Sequence, residues 1–280
     1  ARSYDLILRN GRGIDGSGNP AYFADVAVKD RRIAAIGRPI SGEAKEAFDA
    51  AGLVIAPGFI DVHTHAEGVL EQPKAENFLR MGVTTVVVGN CGGSRLKIGD
   101  YFRKLESHGM SPNVASLIGH GTVRREAMRG SFDRPPTAEE LEQMRKYVDR
   151  AMRDGAVGLS TGLIYLPGVF ARTDEIIELA KVVSKYGGLY ATHQRNEGRG
   201  ILESLDEVFR VAREAQVRAE VSHIKLSGQA SWGRTGEVLA ALEKARAEGL
   251  DITQDQYAYT ASSTGISQLI PSEWREGGRD

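Results

Sequence analysis

Hydrophobic and polar residues alternate over short distances in the first part of the chain. Residues 25–29 and 32–36 show this alternation, and Asp30-Arg31 separates them. Clusters of Asn, Asp, Gly, Ser and Pro bound the other segments, for example at 15–20, and Asn10-Gly11 ends the first one. Short alternating runs between turn residues are typical of β-hairpins. We therefore predict a small β module over residues 1–56, part of a β-sandwich and too small to build a sizeable core by itself.

From Pro57 onwards longer apolar runs alternate with amphipathic stretches. Thr137 and Glu140 form a capping box before one predicted helix, Thr173 is placed to cap a second, and residues 201–215 and 236–248 predict two more. The apolar runs predict strands that are covered on both faces, as parallel strands usually are. These strands are 59–62, 84–88, 113–118, 157–160, 189–192, 219–222 and 250–253.

Seven strands in alternation with helices predict an α/β fold. The expected architecture is a (β/α)8 TIM-like barrel over residues 57–280. The eighth strand of such a barrel is missing from the sequence, which ends in a polar segment. We therefore expect the chain to be a part of a longer protein, incomplete at its C-terminal end. An open doubly wound sheet is the alternative, because such a sheet ends after any number of strands.

Composition limits the classes of partner. The 280 residues include 36 basic and 37 acidic residues, for a net charge of −1, which gives no electrostatic basis for binding nucleic acid or an anionic membrane. No apolar run is long enough to cross a bilayer. A single cysteine excludes an intrachain disulfide. The chain has no initial Met and no signal stretch, so we expect a cytoplasmic protein and leave a mature periplasmic or secreted form open. Composition does not predict the oligomeric state.

A His-x-His motif, His63-Thr64-His65, follows the first predicted barrel strand. Alternate residues of a strand point to the same side, so the two imidazoles leave one face with their Cα atoms roughly 7 Å apart. A single histidine on a strand is usually a core residue. The pair at the end of a strand instead predicts two ligands of one metal ion.

Further candidate ligands follow the later strands. Cys91, His193 and His223 each follow a predicted strand, Cys91 after two intervening residues. Active sites of such barrels lie at the carboxyl ends of the strands, so these side chains should meet there. His120 follows the third strand and has two possible roles. It either faces the substrate or supports a metal ligand, or it makes a simple hydrogen bond within its loop. His108 lies in a predicted helix-end turn and is expected at the surface.

These residues carry a resemblance that covers essentially the whole chain. The β module followed by APGFIDVHTH at 56–65 resembles the entry to the amidohydrolase superfamily. Within that superfamily the chain is similar to the N-acyl-D-amino-acid deacylases, or D-aminoacylases. The motifs that carry this similarity are GNCG at 89–92, STGLIY at 160–165 followed by Pro167-Gly168, THQRNE at 192–197, SHIK at 222–225 and DQYAY at 255–259.

The resemblance implies a zinc-dependent hydrolase. It implies one zinc ion held tightly by Cys91, His193 and His223, and a second, weaker metal position at His63 and His65 that an aspartate completes. Zinc with three protein ligands keeps a position for water and lowers the pKa of that water towards about 7. A carboxylate can then move the proton of the water to the leaving amine.

The resemblance also implies residues that hold a small-molecule substrate, an N-acyl-D-amino acid. These are Lys225, Tyr165, Tyr257 and Ser263. The catalytic aspartate of the family ends the eighth strand, so we expect the general base to lie beyond residue 280. Asp255 ends the seventh strand, and we expect it to order the following loop. Glu67 stands where the family often has aspartate, which leaves its role open.

Two polar pairs have competing interpretations. Arg195 and Glu197 follow His193 and either orient it or form an ion pair in solvent. Lys225 lies two residues after His223, so it either binds the α-carboxylate of the substrate or pairs with a nearby acid.

Three alternatives to a D-aminoacylase remain. The first is another amidohydrolase that cleaves cyclic amides or dipeptides, as hydantoinases do. Those binuclear relatives use a carboxylated lysine on the fourth strand, but residues 156–162 contain no lysine. The second is a truncated metal-binding chain without activity. The third is a structural zinc protein. The candidate ligands argue against it, because they lie at strand ends and do not form a Cys-rich zinc knuckle.

Overall fold

The computed structural model describes residues 3–130, 132–271 and 274. The chain divides into two compact units, with the division between Phe59 and Ile60. Each unit has its own β-sheet, and each is described by itself below.

The first unit is a mixed five-stranded sheet. Its strand order is β3-β2-β1-β4, with β5 paired to β1. The β1–β2 and β2–β3 pairs are antiparallel, whereas β4 and β5 run parallel to β1. The strands are β1 (Ser3–Gly13), β2 (Tyr22–Lys29), β3 (Arg32–Gly37), β4 (Glu43–Asp49) and β5 (Val54–Ile55).

One predicted turn of this unit is confirmed and another is wrong. Asp30 and Arg31 have φ of 50° and 62° and join β2 to β3 in a tight hairpin. At Asn10, where we expected a strand to end, β1 continues through a bulge between Leu8 and Gly11. The Asn10 N–H donates to Asp25 Oδ1 at 2.9 Å, so a side chain from the neighbouring strand supports the left-handed residue within β1.

The second unit contains a seven-stranded sheet whose strands follow chain order from β6 to β12. The pairs from β7 to β12 are parallel, and all seven predicted strands are present. The strands are β6 (Phe59–Asp61), β7 (Val83–Val88), β8 (Asn113–Gly119), β9 (Gly158–Gly162), β10 (Leu189–His193), β11 (Arg218–Val221) and β12 (Ile252–Gln254). The helices are α1 (Glu76–Arg80), α2 (Ile98–His108), α3 (His120–Met128), α4 (Ala138–Arg153), α5 (Thr173–Ser184), α6 (Ile201–Ala215) and α7 (Thr235–Ala247).

The core of this unit lies between the central strands and the helices. Every residue of β9 is buried, and Leu159 packs with Ile176 of α5 and Leu205 of α6 in one apolar cluster. We predicted that every strand of this sheet is covered on both faces. The edge strand β6 is not, since Ile60 is 62% exposed. Among the described residues β6 has a strand neighbour on one side alone, so part of its apolar surface is left uncovered.

The predicted helix starts have different outcomes. Thr137 accepts from the Glu140 N–H and Glu140 from the Thr137 N–H, which confirms the capping box of α4. The prediction that Thr173 caps α5 is wrong, because Arg172 is the N-cap and Thr173 is the first helical residue. The Thr173 hydroxyl instead donates to Glu207 Oε1 of α6 at 2.8 Å. In the described part of the chain, no helix combines the length and the apolar character needed to cross a bilayer.

Candidate metal centre

Three imidazoles surround the Cys91 thiol. Cys91 Sγ lies 3.5 Å from His63 Nε2, 3.6 Å from His223 Nε2 and 4.0 Å from His193 Nδ1. His193 is the last residue of β10, and the other three follow β6, β7 and β11 by two or three residues. Because the strands share one sheet, their ends bring together Cys91 and His223, which are 132 positions apart in the chain.

The backbone around Cys91 forms a tight turn. Cys91 has φ of 53°, and Gly89 and Gly92 on either side have φ of 80° and 78°. The Gly92 N–H donates to Ser160 Oγ at 3.0 Å, and a Cβ on Gly92 would lie 2.8 Å from Gly162 N. Glycine is needed here because the turn is left-handed and lies directly against β9.

The donor atoms are spaced as ligands of one ion. His63, Cys91 and His223 offer atoms within 4.8 Å of one another, and so do His193, Glu197 and His223. Tetrahedral zinc with nitrogen and sulfur ligands at about 2.0–2.3 Å separates those ligands by about 3.5 Å. Nε2 of His193 is buried without a hydrogen-bond partner among the described residues. Imidazoles and a thiol so placed fit zinc.

Charged side chains lie beside the outer nitrogens of two of these imidazoles. Nδ1 of His63 lies 3.2 Å from Asp255 Oδ2. Nδ1 of His223 lies 3.1 Å from Glu197 Oε1 and 3.0 Å from Lys225 Nζ. The Asp255 carboxylate also accepts the His223 N–H at 2.7 Å. Carboxylates that accept from one ring nitrogen direct the other nitrogen towards a metal.

Burial disfavours the charged form of Glu197 and Asp255, but their hydrogen-bond and charged partners favour that form more strongly. Burial would raise the pKa of Glu197, yet His223, His193 and Lys225 hold it below its usual value. The pKa of Asp255 is likewise lowered, because hydrogen bonding and charge from His63 and His223 exceed the effect of burial. Both groups are therefore ionised at neutral pH.

Cys91 and His193 are uncharged at neutral pH without an ion. Burial, with Asp255 and Glu197 nearby, raises the pKa of Cys91 to about 12. Burial lowers the pKa of His193 to about 3. Neutral imidazole is the form that binds a metal, whereas the thiol must lose its proton, so uptake of an ion releases a proton from Cys91.

His65 and Glu67 lie on one side of this cluster. The His65 ring centroid is 5.7 Å from that of His63, and both His65 and Glu67 line a cavity of about 440 Å³ that reaches Cys91 and Tyr165. The Glu67 carboxylate accepts the Gly89 N–H at 2.9 Å, so it supports the turn that carries Cys91. We predicted His63 at a second metal position, apart from Cys91. In the structure His63 Nε2 is as close to Cys91 Sγ as His223 Nε2 is.

The predicted substrate residues lie around the same cluster. The Tyr165 ring packs edge-on against His193 with centroids 4.9 Å apart, and its hydroxyl is 3.3 Å from Thr264 Oγ1. Lys225 Nζ is 5.6 Å from the centroid of the Tyr257 ring. Lys225 also donates to Glu197 at 2.5 Å, which is the pairing with a nearby acid that the sequence left open. Ser263 is exposed in the segment after β12.

Two candidates lie elsewhere than expected. Arg195 donates to Glu207 at 3.0 and 2.9 Å and to the carbonyls of Val169 and Ala171, so it supports a loop and does not orient His193. His120 is fully buried, with Nε2 2.7 Å from Glu175 Oε1, and it does not face the cavity. His108 is exposed, as predicted.

One residue of the cluster was assigned another role from the sequence. We expected Asp255 to order the loop after β12, but it contacts His63 and His223. Its place directly after a strand, at the level of the other candidate ligands, is a signal that could have identified it.

The sequence matches the amidohydrolase family over residues 46–265. The D-aminoacylase of Alcaligenes xylosoxydans xylosoxydans is 39% identical over 96% of this chain and 60% of its own length. The N-acyl-D-glutamate deacylase of the same organism is 39% identical over 93% of this chain and 58% of its own. This chain thus spans about 60% of the length of these relatives.

Solved structures give the same result. A crystal structure of D-aminoacylase superposes with a TM-score of 0.89 at 38% identity, covering 92% of this chain and 59% of that one. N-acyl-D-glutamate deacylase from Bordetella bronchiseptica, complexed with zinc and a phosphonate inhibitor, superposes with a TM-score of 0.89 at 37% identity, again over 92% and 59% of the two chains. The match to the family covers well over half of the residues, and the fold is of the amidohydrolase type. The chain belongs to the amidohydrolase family.

Proposed function

We propose that the protein is a zinc-dependent hydrolase that removes the N-acyl group from N-acyl-D-amino acids. The observation that carries this proposal is the convergence of Cys91 with three imidazoles at the carboxyl ends of parallel strands. The D-aminoacylase and N-acyl-D-glutamate deacylase relatives support the choice of substrate. Residues 57–280 would belong to a (β/α)8 TIM-like barrel, and residues 1–56 would belong to a β-sandwich.

In this proposal Cys91, His193 and His223 hold the tightly bound zinc, and His63 and His65 belong to a second, weaker position. Zinc there would act as a Lewis acid that lowers the pKa of a water molecule and polarises the amide carbonyl. The Asp255 carboxylate would keep the imidazole of His63 in the tautomer that directs Nε2 to Cys91. Glu197 and Lys225 both contact Nδ1 of His223 and would fix the orientation of that ring. A free thiol ligand suits a reducing compartment, and we place the protein in the cytoplasm.

The substrate would be held beside the ion. Lys225, with its side chain 20% exposed, would bind the α-carboxylate, with Tyr165, Tyr257 and Ser263 supplying hydroxyl groups. Because Lys225 already donates to Glu197 at 2.5 Å, the substrate carboxylate would share the ammonium with a half-buried acid. A carboxylate that moves the proton of the water is required as well. Asp255 is not assigned this role because it already accepts from His63 and His223.

The test uses the full-length protein loaded with zinc. We expect release of acetate from N-acetyl-D-amino acids and little turnover of the L-enantiomers. A ring-opened product from a hydantoin would favour the cyclic-amide alternative. Zinc-loaded protein that hydrolyses neither N-acyl enantiomer would refute the proposal.

A further inference from the structure

A buried polar network lies outside the metal cluster. His120, the first residue of α3, contacts Glu175 Oε1 at 2.7 Å, and the Arg124 guanidinium donates to Glu175 Oε2. The side chains of His120 and Arg124 are fully buried, and that of Glu175 is 4% exposed. Burial of three such groups costs folding free energy, because an apolar set of similar volume is often more stable.

The network holds the first turn of α3 against the loop that carries Cys91. The Thr122 N–H donates to the Gly92 carbonyl at 3.2 Å, and Thr122 Oγ1 accepts from and donates to the backbone of Ser94, both at 3.1 Å. A Cβ on Gly119 would lie 2.5 Å from Gly92 O. A shift of this turn of α3 would therefore move the residue next to Cys91.

The same helix also contacts the loop that carries Tyr165. In its first turn a Cβ on Gly121 would lie 3.6 Å from Pro167, and in its second turn Arg125 donates to the Leu166 carbonyl at 3.1 Å. A Cβ on Gly168 would lie 3.7 Å from His120 Nδ1, and this nitrogen is buried without a partner in the described part of the chain. Glu175 belongs to the first turn of α5, the helix that follows this loop. The loop is thus fixed by α3 on one side and by Glu175 at its end.

The geometry points to His120, Glu175 and Arg124 as a positioning unit that sets the Tyr165 loop and the Cys91 loop relative to each other. None of the three contacts the metal ligands. They act through the first turn of α3, which both loops contact, and so determine where the Tyr165 ring lies beside His193. The expected change in kcat/KM rests on the proposed function, whereas the expected change in the position of the Cys91 loop does not.

The test compares two Glu→Gln variants of α5 in the full-length protein. Glu175→Gln weakens the network, and Glu178→Gln is the matched control, since Glu178 pairs with Arg145 and Lys181 away from the two loops. Iodoacetamide alkylation of Cys91 in metal-free protein, followed on the Cys91 peptide by mass spectrometry, reports the position of that loop. Glu175→Gln should accelerate alkylation and lower kcat/KM by about 10- to 100-fold, as loss of supporting partners commonly does. Glu178→Gln should change neither.

A double-mutant cycle with Tyr165→Ala, which removes the ring, separates positioning from general destabilisation. If Glu175 acts through Tyr165, the double variant loses little more kcat/KM than Tyr165→Ala alone. Fully additive losses, or alkylation rates equal in the two Glu→Gln variants, would overturn the inference. If Glu175→Gln does not fold, His120→Leu, which keeps the pair between Arg124 and Glu175, replaces it in both assays. Wild-type protein without deacylase activity would refute the proposed function, and the alkylation assay would still decide the inference.

Discussion

Replacement of Lys225 by Met tests how the substrate is held. In the structure the ammonium donates to Glu197 at 2.5 Å and to the His223 carbonyl at 2.8 Å, so it is fixed close to the metal cluster. Met keeps most of the side-chain length and removes the charge. We expect the zinc content to remain, because an ammonium group has no lone pair with which to bind a metal ion.

The expected loss follows from the contact that is removed. A hydrogen bond between charged groups contributes about 1.5–3 kcal/mol, and the low exposure of Lys225 favours the upper half of that range. A loss of about 2–3 kcal/mol corresponds to about 30- to 150-fold in kcat/KM. Part of the loss comes from Glu197, which keeps a buried negative charge with one cation fewer beside it.

The assay pairs the enzyme variant with a substrate variant. N-acetyl-D-leucine and its C-terminal amide are compared as substrates of the wild type and of Lys225→Met. The wild type should prefer the free acid by about 30- to 150-fold, and the variant should show little preference. Lys181→Met, which removes an exposed lysine that pairs with Glu178, is the control. A variant that keeps the wild-type preference for the free acid would show that Lys225 does not bind the carboxylate.

Three further predictions concern the metal, the Cys91 turn and pH. Cys91→Ala should lose most of the bound zinc in metal analysis, and unchanged zinc would contradict our ligand assignment. Gly92→Ala should lower both zinc content and melting temperature, because its φ of 78° costs alanine about 1–2 kcal/mol and its Cβ would lie 2.8 Å from Gly162 N. The Arg134 guanidinium lowers the pKa of Glu140 to about 2 from 4.5, so its stabilisation is present above pH 4.5 and is lost as the pH falls through 2. Denaturant unfolding should therefore show Glu140→Gln less stable than the wild type at pH 6, with the difference shrinking towards pH 2.

Much of the fold and the meeting of the ligands follow from local sequence patterns. Apolar runs of strand length separated by amphipathic helices predict parallel strands, and parallel strands place their carboxyl ends together. From the sequence alone, this pattern predicts that His63, Cys91, His193 and His223 meet. The Asp30-Arg31 hairpin is equally local, because two residues in a left-handed turn decide it.

What the sequence did not predict depends on partners distant in the chain. His120 is drawn into a buried network by Glu175, 55 positions later, and no local pattern indicates that contact. The bulge at Asn10 depends on a carboxylate from the neighbouring strand. Asp255 contacts His63 across 192 positions, and this pairing requires the whole order of the sheet.

The separation of the Cys91 partners along the chain has a consequence for the unfolded protein. An ion shared by Cys91, His193 and His223 would close loops of 102 residues, from Cys91 to His193, and 30 residues, from His193 to His223. In the chain-entropy description of a cross-link, closing single loops of that length removes about 3.5 to 5 kcal/mol of conformational freedom from the unfolded ensemble. The same atoms that perform chemistry would thus act as a reversible cross-link between the second strand of the sheet and the sixth. Removal of the ion by a chelator should then lower the melting temperature as well as the activity, as reduction of a long-range disulfide does in a secreted protein.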